Sequence, residues 1–252
     1  MATLILYLQY DGTYYSGWQI QKNALTVQQV VETAIEKVTS KYYSSNASGR
    51  TDAGVHARCQ VVSVKIGNEF TLPESKITVA INSKLPRDVR VIYAKIYDGY
   101  FNARHDAAQR EYEYLLSTVY NPFDRLYVSH IKYPINKDLL FASAELFLGK
   151  HDFTTFSKFN PDNKKPVCDV TYCSWEGITQ QKFKLTIRAN HFLYGMVRSI
   201  AGAMIEIARG KRTFDEISAA FEKKDRLYNS ALAPPQGLYL NKVYYPEKFG
   251  LL

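Results

Sequence analysis

With 252 residues, 46% apolar and 22% charged, the chain is long enough to bury the core of one large domain or two small ones. Its 32 Lys and Arg against 24 Asp and Glu give a net charge of +8 and a pI near 9.2, a balance that favours polyanions such as nucleic acid. No apolar run is long enough for a bilayer, the N-terminus has no signal-peptide pattern, and three cysteines without a Cys-x-x-Cys exclude a disulfide framework and point to a reducing, cytoplasmic compartment.

Residues 4–10 alternate as a half-buried strand, and Asp11-Gly12 ends it in a turn. Residues 14–21 follow neither period. Thr26 is positioned to cap a helix with the apolar stripe Val27, Val30, Val31, Ala34, Ile35 and Val38. Residues 42–47 and 59–66 read as strands, 73–85 as a helix and 89–97 as a strand. This is the β-α-β-β-α-β order of ferredoxin-like folds, so the loop 48–57 lies at the end of an antiparallel hairpin.

Residues 109–119 start a second round of the same order. An amphipathic helix is predicted over 137–148 with Gly149 past its end, then a hairpin of 167–176 and 182–189 around Gly177. A long helix over 191–209, a short one over 214–222 and a strand over 238–245 complete it. The predicted fold is α+β: two ferredoxin-like or RRM-like halves, 1–105 and 106–252, sharing a mainly antiparallel sheet with a central cleft. Cys168 and Cys173, five apart on one strand, are expected on opposite faces. The irregular stretch 153–166 contains Lys158, Lys164 and Lys165 and reads either as a phosphate-backbone contact or as a mobile surface loop.

The loop 48–57 reads Ser-Gly-Arg-Thr-Asp-Ala-Gly-Val-His-Ala, with two glycines bracketing Arg50-Thr51-Asp52. One reading is a surface turn in which Asp52 bonds its own backbone and Arg50 is solvated. The other is a carboxylate held ionised by a nearby cation, able to attack an anomeric carbon or take a proton. Arg198 sits in the middle of an apolar helix between Gly195 and Gly202, and a buried charge needs a partner unless it reaches Glu206 or solvent. Arg110, Tyr112 and Tyr114 share one strand face, as a platform for an extruded base or as ordinary strand aromatics. The five histidines show no metal-ligand spacing, and no Gly-rich phosphate loop or Ser-His-Asp set is visible, so neither a metal nor a nucleotide cofactor is expected.

Five stretches in order, across essentially the whole chain, resemble the tRNA pseudouridine synthase A family. They are Tyr10-Asp11-Gly12 with Gly17-Trp18-Gln19-Ile20-Gln21; the run from Gly49 to Ala57; Phe101-Asn102-Ala103-Arg104 leading to Arg110-Glu111-Tyr112-Glu113-Tyr114; Phe192-Leu193 with Met196-Val197-Arg198; and Gly237-Leu238-Tyr239-Leu240. The resemblance implies isomerisation of uridine to pseudouridine at positions 38, 39 and 40 of the tRNA anticodon stem-loop. It implies Asp52 as the catalytic residue, Arg198 as its salt-bridge partner, Arg50 as the group that opens the helix or holds the flipped nucleotide, and Tyr112 as the stacking ring. It further implies a homodimer that works without metal or cofactor. Gly195 departs from the pattern, where a larger polar residue is expected. Two rivals remain: a non-catalytic RNA-binding protein of paired RRM-like units, and a nucleoside hydrolase, for which Asp11 is the second carboxylate to nominate.

Overall fold

The computed structural model describes residues 2–158 and 165–251. In chain order they form β1 (Ala2–Tyr10), α1 (Val27–Thr39), β2 (Ser45–Ala47), β3 (His56–Ile66), α2 (Glu74–Asn82), β4 (Val89–Asp98), β5 (Gln109–Ser117), β6 (Ser129–His130), α3 (Lys137–Ala142), β7 (Gly149–Asp152), β8 (Val167–Gly177), β9 (Lys182–Ala189), α4 (Met196–Ala208), α5 (Phe214–Lys223) and β10 (Leu238–Tyr244). No helix among the described residues is long and apolar enough to cross a membrane. The chain divides into two α+β units, one of residues up to Ala108 with Tyr239 onward, the other Gln109–Leu238. The closing strand, expected with the second half, thus goes with the first. It pairs in parallel with β3 at Tyr239–His56 and Leu240–Ala57, and Tyr244 O accepts from Ala108 N at 2.8 Å.

In the first unit the strands run β4-β1-β3, and β2 and β10 both pair with β3. The β4-β1-β3-β2 order is that of the split βαβ predicted from the sequence. Thr26 caps α1 by accepting from Gln29 N at 3.4 Å. The half-buried reading of residues 4–10 needs correction: Leu4, Ile5, Leu6, Tyr7 and Leu8 are all buried. β1 pairs with β3 and β4 on its two edges, and burial of consecutive residues on both of its faces makes its apolar run nearly continuous. A cluster of Tyr97, Phe101, Tyr245 and Phe249 rings, with centroids 5.0–6.4 Å apart, packs nearby.

The second unit holds the antiparallel order β5-β9-β8-β7, with β6 parallel to β5. Three expectations change here. The helix predicted over 137–148 stops at Ala142 and tightens into a 3-10 turn, Ser143–Phe147. The Ser143 hydroxyl donates to Leu140 O at 2.6 Å and so competes with the regular helix ladder. The helix predicted from 191 begins only at Met196, because Gly195 sits at φ 70°, a left-handed value that interrupts a right-handed helix. Cys168 and Cys173 are both buried, on the same side of β8 as Val170 and Trp175. The pairing with β9 slips between Val170 and Tyr172, so Thr171 is an extra residue that returns the strand to the same face.

Candidate active site

The loop 48–57 belongs to the first unit and lies against the loop that follows β1. Gly17, at φ 84°, passes so close that a Cβ there would stand 2.5 Å from Thr51 O and 3.1 Å from the Asp52 carbonyl carbon. A Cβ on Gly12 would meet Val55 O at 2.0 Å. Only glycine permits either approach. Backbone bonds follow the same contact: Trp18 N donates to Thr51 O at 3.1 Å and Gly54 N to Tyr15 O at 3.3 Å. Val55 N donates to Asp52 O at 3.2 Å, closing a turn whose third residue, Gly54, has φ 75°.

Side chains complete the cradle. Thr51 is buried, its hydroxyl 2.8 Å from Tyr10 OH, and Gln60 spans Ser48 Oγ and Gly49 O, each at 2.7 Å. Burial pushes the Tyr10 phenol up to about 12, against the opposing pull of its Thr51 and Gln60 bonds. Tyr15 OH donates to Asp88 Oδ1 at 2.8 Å, and Asp88 O accepts from Asp11 N at 2.9 Å, which anchors the supporting loop to the start of β4. His56 is buried; its Nδ1 accepts from Gly12 N at 3.1 Å, stands 3.1 Å from Asp11 Oδ1, and its ring stacks on Tyr239 at 4.8 Å. Arg58 lies over the other ring of that stack, 4.9 Å from the Tyr239 centroid. Between these fixed points Asp52 is half-buried and Arg50 exposed. A carboxylate held on an anchored turn, with an exposed cation two residues before it, can serve as nucleophile or base.

The remaining predicted residues lie in the second unit. Tyr112 faces Ile187 of β9 and is 7% exposed, with the Phe192 ring edge-on at 5.0 Å. Tyr114 is fully buried and donates to Pro234 O at 3.0 Å, and burial pushes its phenol far up. Arg110 is also buried and donates to Asn190 O at 3.0 Å. Of the two readings of Arg110, Tyr112 and Tyr114, that of ordinary strand aromatics describes Tyr114, whose hydroxyl goes to a backbone carbonyl, and all three side chains are buried.

Helix α4 is buried nearly all round, as its composition requires, and Arg198 is half-buried on it. Arg198 Nε donates to Ala233 O at 2.7 Å, and Ala233 N returns a bond to Arg198 O at 2.9 Å. Gly202 makes this possible, since a Cβ there would meet Ala231 O at 2.0 Å. Gly195 faces the Lys158 stem, whose ammonium lies 4.7 Å from the Tyr194 ring centroid. Lys165 O stands 3.1 Å from His191 Nε2, and Lys164 lies outside the described residues. Among the described residues no group of three His, Cys, Asp or Glu is arranged to hold a metal ion.

The sequence singles out Asp52 and its neighbours but not the residues that support them. Gly12 and Gly17 carried only weak signals, an Asp-Gly turn and a Ser-Gly-Trp step. Gln60, Tyr15 and Asp88 carried none, because their partners are 11 to 77 positions away in the chain.

Comparison with known proteins covers both units. A family model described as tRNA pseudouridine synthase matches residues 7–106 and 143–246. A protein named tRNA pseudouridine synthase A from Thermoanaerobacter sp. (strain X514) is 38% identical over 247 residues, 97% of this chain and 100% of that one. Namesakes from Bacillus pumilus and Bacteroides fragilis are 36% and 35% identical, over 94% and 96% of this chain and 97% and 96% of their own. Among solved structures, an H/ACA RNP bound to a substrate RNA containing 2'-deoxyuridine is similar at a TM-score of 0.42 and 12% identity, over 81% of this chain and 44% of that chain. That likeness is too distant to bear on the site. The family model's segments contain loop 48–57 and helix α4, and the chain belongs to the tRNA pseudouridine synthase family.

Proposed function

We propose that this isomerase converts uridine to pseudouridine at positions 38, 39 and 40 of the tRNA anticodon stem-loop, as a cytoplasmic homodimer, with Asp52 as the catalytic residue. The observation that supports it most is the anchoring of loop 48–57: Thr51 is buried beneath Tyr10 while Asp52, next to it, stays half-buried on a turn pinned by backbone contacts. The reaction breaks the C1′–N1 bond with the electron pair leaving on uracil N1. The base turns, C5 bonds to C1′, the C5 proton departs and N1 regains a proton. Nothing is gained or lost overall, so the isomerisation itself calls for no redox or group-carrying cofactor.

Asp52 enters either as nucleophile at C1′ or as base toward the 2′ proton, and both routes need the ionised carboxylate. Arg198 is the counter-ion proposed for it, Arg50 opens the helix or holds the flipped nucleotide, and Tyr112 stacks on the target base. Extrusion costs a few kcal/mol, which these contacts offset in part.

The test is tritium release from unmodified tRNA carrying 5-tritiated uridine, with Asp52→Ala and Asp52→Asn. Both variants are expected to bind tRNA and release no tritium. Substantial turnover by a correctly folded Asp52→Ala protein would sink the catalytic assignment, and release of free uracil by the wild type would favour hydrolysis instead.

A further inference from the structure

Residues 118–136, between β5 and α3, contribute nothing to the site described above, yet they surround a cavity of about 160 Å3 lined by Tyr120, Asp124, Arg125, His130, Lys132 and Gln236. Pockets for drug-sized ligands run about 300–1,000 Å3, so this one suits a single small planar group. Tyr120 is 59% exposed, and its ring meets His130 edge-on at 5.5 Å. Asp124 is the one carboxylate in the lining, and it is already engaged by the Lys182 ammonium and by Asn121 Nδ2 at 3.2 Å. Arg125 and Lys132 are exposed and have no carboxylate partner among the described residues, and Arg125 is held by a 2.7 Å bond from Nη1 to Pro122 O. The lining is therefore cationic beside an open aromatic face.

The segment is also built in advance. Asn121 Oδ1 accepts from Phe123 N at 2.9 Å, and Asp124 O accepts from Tyr127 N and Val128 N at 2.8 and 2.9 Å. Thr118 N to Gln181 O at 3.0 Å and Ile131 N to Ser117 O at 2.9 Å tie its two ends to the sheet. Little ordering is left to be done on binding, which is the condition for a small contact to add affinity.

We propose that this cavity docks one unstacked nucleotide of the RNA substrate, its base against Tyr120 and its phosphate against Arg125 and Lys132. The inference rests on RNA being the substrate, as argued above. An exposed aromatic ring beside two cations fits a nucleotide, because every base offers a π-face and every link a phosphate. An acidic peptide would use the cations and leave the ring unused.

The experiment measures binding of an unmodified tRNA transcript across a salt series, using the full chain and the variants Tyr120→Ala, Tyr120→Phe and Arg125→Ala/Lys132→Ala. Loss of the one phosphate contact should lower the slope of log K against log salt by roughly 0.7 to 0.9. Tyr120→Ala should weaken binding about 5- to 150-fold at fixed salt, as for loss of one stacked base, while Tyr120→Phe keeps wild-type affinity. A wild-type slope in the double variant, or Tyr120→Phe as weak as Tyr120→Ala, overturns the site. Wild-type protein that releases no tritium overturns the proposed function on its own; wild-type turnover with unchanged variant binding overturns only the nucleotide site.

Discussion

Replacing Gly17 with alanine tests whether the loop after β1 holds Asp52 in place. Gly17 sits at φ 84°, where an L-residue costs about 1–2 kcal/mol relative to its normal basin. The new Cβ would also stand 2.5 Å from Thr51 O, so that carbonyl must retreat by about half an ångström even to reach 3.0 Å. The carbonyl is held on this side by the 3.1 Å bond from Trp18 N and is followed directly by Asp52, so retreat stretches the bond and drags the carboxylate. The combined strain is about 2–3 kcal/mol, or a melting point lower by about 5–10 °C for a chain of this size. Since a misplacement of about 1 Å can cost 100-fold in rate, half of that should lower kcat about tenfold. Tritium release at saturating tRNA and a thermal melt read the two effects. Gly210→Ala is the control: Gly210 is at φ 67° with nothing within 4 Å of its added Cβ, so it should lose the backbone contribution to stability alone and keep its kcat. If Gly17→Ala matches Gly210→Ala in rate, the claim that the supporting loop sets the position of Asp52 is wrong.

Glu32 is buried on α1, and its Oε1 accepts from Ser45 N, Ser45 Oγ and Gln28 Nε2 at 2.8, 2.8 and 2.9 Å while Oε2 accepts from Tyr42 OH at 2.8 Å. Glu32→Ala should destabilise by about 2–4 kcal/mol, since hydrogen bonds to a charged group contribute about 1.5–3 kcal/mol and the Ser45 donors are stranded; a melt within error of wild type would show the network to be idle. Tyr10 predicts a pH effect. Its folded pKa is raised from 10 to about 12, so above pH 10 the unfolded chain binds fewer protons than the folded one, and stability falls as pH rises through about 10 to 12. Two units correspond to roughly 3 kcal/mol, fully present below pH 10. Tyr10→Phe should lose about 1–2 kcal/mol at neutral pH, from the stranded Thr51 hydroxyl, and show a shallower alkaline decline. Parallel alkaline profiles for the two proteins would refute the burial argument.

Element type was legible wherever periodicity was strong. The stripe from Val27 to Val38 with its Thr26 cap, and the apolar run of α4, both became the expected helices. What failed were features decided by one backbone residue. Thr171 bulges, and the alternation that would have separated Cys168 from Cys173 is shifted by one. Gly195 turns left-handed, and the five residues 191–195 that read as helix lie outside it. The two-residue β6 and four-residue β7 carry too little pattern to register, and their pairing is fixed by partners far along the chain.

The site divides along the same line. Asp52 and Arg50 stand out through the resemblance carried by the run from Gly49 to Ala57, and that run says nothing of what it rests on. The rest is a second loop, and its contribution is absence: no side chain on Gly12 or Gly17, so that backbone can meet backbone at Val55 and Thr51. Contacts of that kind leave no polar or apolar signature, since glycine is also the common residue of any turn. A glycine that merely turns the chain tolerates alanine when its φ is negative, whereas Gly12, whose missing Cβ would lie 2.0 Å from Val55 O, excludes alanine by contact alone. The Arg50-Thr51-Asp52 string and the glycines of the supporting loop therefore form one structural unit, although about 30 to 40 residues separate them in the sequence.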